Sequence, residues 1–96
     1  MDTSTLEPAL RDTIAALQQR LQEQLPAHDP HGRLAGRPMT IQPIDKQTVE
    51  VVYHEVPQIT ETEVRAFRRL VDFPVFCTVM PESERTLIVT FICRIA

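Results

Sequence analysis

Ninety-six residues with 43% apolar content make one domain, because two would each be too small to hold a core. A net charge of −3 argues against nonspecific binding to nucleic acid or to an anionic membrane, although it leaves room for a local basic face. Two glycines against eight prolines point to ordered elements with proline punctuation, and four Phe, one Tyr and no Trp point to a mainly aliphatic core.

The first helix is predicted over residues 5–25. Leu6, Leu10, Ile14, Leu17, Leu21 and Leu25 recur at three- and four-residue spacings and form one apolar stripe. Ser4 and Glu7 have the spacing of a capping box, Pro8 falls in the tolerant first turn, and Pro26 is expected to stop the helix. The stripe suits packing on the chain's own sheet, and its spacing also suits a partner helix. Residues 26–38 contain both glycines, three prolines, His28 and His31, and are read as a flexible loop between the first helix and the first hairpin.

Residues 39–44 and 47–56 read as strands joined at Asp45-Lys46, with Pro43 marking an edge or a strand end. Val49, Val51 and Tyr53 face one way; Glu50, Val52, His54 and Val56 face the other. Pro57 breaks the strand. Thr60 and Glu63 then fit a capping box, with Ile59 and Val64 placed as a hydrophobic staple, so a second helix starts here and runs to about Asp72, before Pro74. Val64, Phe67, Leu70 and Val71 point inward on it, and Arg65, Arg68 and Arg69 outward.

Residues 75–80 and 86–95 form a second hairpin across Pro81–Arg85. The last strand sets Leu87, Val89, Phe91, Cys93 and Ile95 on one face and Ile88 and Ile92 on the other. A strand apolar on both sides needs cover on both, from the helices or from a second subunit. The expected fold is α+β in the order α-β-β-α-β-β, a four-stranded, largely antiparallel sheet covered by two helices, with residues 1–96 as a single domain.

Few residues point to chemistry. His28, Asp29 and His31 are of metal-ligating type, but no fourth ligand or recognised spacing accompanies them. His54 needs a partner such as Glu50 or Glu55 to act as a base. Ser4 and Ser83 read as cap and turn residues. Cys77 is expected nearer Val89 than Cys93, so the two thiols do not pair and behave as small hydrophobes. No Gly-rich phosphate cradle is present. The set of most weight is Arg33, Arg37, Arg65, Arg68 and Arg69, which would bind an acidic protein surface or, as an alternative, a nucleic-acid backbone. Pairing of Arg65 with Glu61 and of Arg68 with Asp72 would instead make that helix face an ordinary solvated one.

No catalytic, metal or cofactor residue is assigned. The expectation is a small non-enzymatic protein-interaction or regulatory domain, an adaptor in type and homodimeric. Neither a charged leader nor an apolar span is visible, which suggests the cytoplasm and no membrane contact. The alternatives are a nucleic-acid binder using the arginines and a small enzyme or metal protein using the histidine loop.

Overall fold

In the computed structural model, which describes residues 8–71, 73 and 75–94, the elements are α1 (Pro8–His28), β1 (Met39–Pro43), β2 (Thr48–Val56), α2 (Glu61–Leu70), β3 (Val75–Pro81) and β4 (Leu87–Arg94). The sheet is antiparallel throughout, in the order β1-β2-β4-β3. The expected α-β-β-α-β-β architecture, with two helices packed on a four-stranded sheet, is the observed one. Helix α2 carries the chain from β2 to the far edge, and β4 returns to fill the gap. The central strands β2 and β4 are accordingly the ones with an unbroken buried side, Val49, Val51 and Tyr53 on one and Val89, Phe91 and Cys93 on the other.

Both helices cover that same side. Leu10, Leu17, Leu21 and Leu25 of α1 are buried in one cluster with the inner residues of β2 and β4, and Ile14 is half-buried against it. The α1 stripe is thus spent on the chain's own core. Leu6, Ser4 and Glu7 lie outside the described residues. Pro26 does not stop α1, which continues to His28. Proline's fixed φ is itself helical, and this close to the helix end the lost N–H bond and the crowding of the carbonyl four residues before it do not prevent the last turn from closing.

Helix α2 is set by the predicted capping box. Glu63 Oε1 accepts the Thr60 N–H at 2.7 Å and the Thr60 hydroxyl at 2.8 Å. Ile59 and Val64 are both half-buried against the core. The helix ends at Leu70, and Val71 is already extended; Asp72 and Pro74 lie outside the described residues. Phe67 then stacks on Phe91 with ring centroids 3.8 Å apart, and Tyr53 meets Phe91 edge-on at 6.1 Å. Arg20 of α1 donates to the Leu70 carbonyl at 3.0 Å, satisfying a helix-end acceptor and tying α1 to α2.

Two features depart from simple alternation. Val56 is fully buried, on the core side, where period two would turn it outward. The register of β2 on β4 shifts between Tyr53 and Val56, and Glu55 there has φ 58. One residue in the left-handed region takes up the extra step of a bulge and swings Val56 inward. The second departure is the register of the last hairpin. Cys77 pairs with Phe91, not Val89, because β3 extends to Pro81 and the five-residue turn moves one position along, to Glu82–Thr86. Both thiols remain free, as expected. Ile95 lies outside the described residues.

The connection from α1 to β1 is organised by Asp29, which is only 3% exposed. Its carboxylate accepts the backbone N–H groups of Arg33 at 3.3 Å and of Leu34 and Ala35 at 2.8 Å each. These bonds fold the loop over and drive Leu34 into the core, where it is fully buried. Asp29→Ala would strand those donors, so we expect a loss of about 3 kcal/mol in urea unfolding, near the upper range for buried groups bonded to a charge. A change under about 0.5 kcal/mol, the usual range for a surface site, would contradict this role.

Candidate functional site

With both helices on one side, the other side of the sheet is left open. Pleating turns alternate residues there, and the register places them in facing pairs: Phe76 with Ile92, Thr78 with Thr90, and Met80 with Ile88. The neighbouring strand β2 adds Val52 beside Thr90 and Glu50 beside Ile92. None of these residues is buried, and among the described residues no element lies over them. Phe76 is 74% exposed and Met80 64%. Several apolar side chains grouped on one face framed by polar ones are informative in a way that a single exposed apolar residue is not.

The frame is charged at its ends. At the β3–β4 turn, Glu82 Oε2 lies 2.9 Å from His54 Nδ1, and Glu82 Oε1 accepts the Glu55 N–H at 2.9 Å. The His54 hydrogen bond, and after it the Glu55 N–H, hold the Glu82 carboxyl below the usual carboxylate range. His54 therefore has Glu82 as its partner, and not Glu50 or Glu55. Glu50 is bonded to Gln42 across β1 and β2. Arg94 is exposed at the opposite end of β4.

The five arginines divide. Arg33 turns inward to Glu63, whose side chain is fully buried, at 3.2 Å. Arg37 donates through Nε to the Gly32 carbonyl at 3.2 Å, within its own loop. Arg68 reaches the Val75 carbonyl at 3.4 Å, and Arg65 pairs with Glu61 at 2.7 Å. Arg65 and Arg69 share a shallow hollow of about 150 Å³ with His28 and Thr62. Two of the five guanidinium-bearing side chains, Arg65 and Arg69, are thus brought to one hollow, Arg65 paired there with Glu61.

The histidine loop does not bring its three polar residues to one point. The Asp29 carboxylate is turned into the loop backbone, while His28 and His31 are exposed. No group of three or more metal-ligating side chains occurs among the described residues. Burial pushes the Cys93 thiol up to about 11 and raises that of Cys77, opposed there by Arg68. Neither thiol is poised as a thiolate near neutral pH. A hollow of about 300 Å³ lies between α1, the loop and β1, lined by Leu21, Leu25, Arg37 and Met39 among others. Tyr53 borders it; its hydroxyl is buried with no hydrogen-bond partner among the described residues, and burial raises its pKa. No described helix is long and apolar enough to cross a membrane.

Phe76 and Met80 carry the open face and were not singled out from sequence. Their signal was the even-numbered parity that they share with Ile88 and Ile92 across the hairpin. No family model, curated protein or solved structure matches the chain.

The placement of Arg33 is testable. Arg33→Met removes the cation from a fully buried carboxylate and is expected to cost about 3 kcal/mol in urea unfolding. Arg69→Met, on the exposed helix face, should stay within about 0.5 kcal/mol. Equal, small effects from both would return Arg33 to the surface set.

Proposed function

We propose that this chain is a non-enzymatic protein-interaction domain that works as a homodimer through the open face of its sheet. One observation carries the reading: Phe76 and Met80 stand exposed, paired across the hairpin with Ile92 and Ile88, on the side that neither helix covers. A second copy is the occupant because the face carries an apolar pair on either side of the Thr78–Thr90 pair, with Glu82 at one end and Arg94 at the other, so it can complement itself. Aromatic and Met side chains within such a patch, with a polar rim, are residue types enriched in binding cores. Sheet-on-sheet packing buries each such face against the other at about 10 Å separation. Two free, largely shielded thiols suit a reducing compartment such as the cytoplasm.

The full chain with Phe76→Ser and Met80→Ser together tests the reading by sedimentation equilibrium. Both residues are exposed in the single chain, so thermal unfolding at high dilution should change little. The dimer dissociation constant should rise by at least about thirtyfold, the equivalent of about 2 kcal/mol for anchor residues of an interface. Self-association unchanged by both substitutions would remove the open face from the account.

A further inference from the structure

The open face has an internal symmetry that specifies how a second copy would sit on it. Thr78 and Thr90 face each other across the hairpin. On one side of that pair lie Phe76 and Ile92, and on the other Met80 and Ile88. Each strand therefore reads large, Thr, large about the same line. Further out along β4 and β3 the ends differ in charge. Arg94 stands two outward positions beyond Thr90 at one end, and Thr86 with its register neighbour Glu82 stands equally far at the other.

From this pattern, and resting on the reading of the face given above, we propose that the dimer is two-fold about an axis in the plane of the interface, perpendicular to the strands and passing over Thr78 and Thr90. Such an axis lays β4 on β4 and β3 on β3, running in opposite directions. It sets the Phe76–Ile92 pair of one protomer over the Met80–Ile88 pair of its partner at both ends. Small threonines fall at the centre, where the two sheets approach through identical residues. It also carries Arg94 of each protomer to the Glu82 end of the other, and Glu50 to the His54 position. The other in-plane axis, parallel to the strands, would set Arg94 beside Arg94 and Glu82 beside Glu82. Opposite charges at both ends favour the first axis, and like charges at both ends oppose the second.

A charge exchange separates the two. Arg94→Glu and Glu82→Lys are made singly in the full chain, and self-association is measured for each alone and for an equimolar mixture. In a homodimer on the proposed axis, either substitution creates like charges at both ends and should weaken association by about tenfold, whereas on the strand-parallel axis both ends are already like-charged and neither substitution alone should weaken it. In the mixed dimer both ends are opposite in sign, so association should recover to within about threefold of the unsubstituted chain. Because Glu82 also holds His54 and the Glu55 N–H, Glu82→Lys carries a risk of misfolding. A second measurement therefore avoids it: Thr90→Cys, on the axis, should be joined into a covalent dimer by a short bismaleimide, and Lys46→Cys, in the β1–β2 turn away from the axis, should not. Single variants that associate as tightly as the unsubstituted chain, or a mixture no better than either variant together with absent cross-linking through Thr90→Cys, overturn the two-fold arrangement. If the double substitution at Phe76 and Met80 still abolishes association, that failure belongs to the axis alone; if association is insensitive to Phe76 and Met80 as well, the reading of the face has failed with it.

Discussion

Phe91 sits where three elements meet, with the Phe67 ring stacked on it from α2 and the Tyr53 ring edge-on from β2. That contact pins α2 over β4 and decides which side of the sheet is the inside. The arginine bond from α1 to the end of α2 holds the first helix alongside the second. Two helices, each about 10 Å across, span about the width of four strands spaced near 4.8 Å apart. One helical layer is therefore consumed by one sheet face. Even there the cover thins at the β3 edge, where inward-turned Val79 is still 43% exposed.

The consequence is that Ile88 and Ile92 have no cover from their own chain's described helices. Natural single-layer sheets usually put polar residues on the solvent side. Here β1 and β2 follow that rule through Thr40, Gln42, Glu50 and His54, while β3 and β4 break it with Phe76, Met80, Ile88 and Ile92. The break is centred on one hairpin, with Val52 of β2 beside it, and has Glu82 and Arg94 at its ends. A general shortage of polar residues would have spread it over all four strands.

The element order was legible because the local signals agree with the tertiary outcome. The Thr60–Glu63 box starts α2, and period-two alternation marks β2 and β4. What stayed hidden depends on contacts between distant segments. The turn of Val56 into the core needs the bulge at Glu55, whose N–H is caught by Glu82, remote in sequence. Asp29 looked like a possible metal ligand beside two histidines, and only the folded loop shows its oxygens taken by backbone donors. Arg33 looked like a surface cation, and its partner Glu63 was assigned to the helix cap alone; the carboxylate serves both. For the candidate site, the apolar outer side of β4 was visible from Ile88 and Ile92, and the question of what covers it could be asked. Its partners on β3 emerged only with the register, which fixes Phe76 against Ile92 and Met80 against Ile88.

The measurement that bears most directly on the open face is hydroxyl-radical footprinting of the unaltered chain across a range of protein concentrations. Phe76 and Met80 should become protected as concentration rises, in parallel with each other. Ile44, which is 52% exposed in the β1–β2 turn at the far edge of the sheet, should react at a constant rate. Reaction of Phe76 and Met80 at the same rate at every concentration, up to the highest at which the chain stays dissolved, would contradict the account.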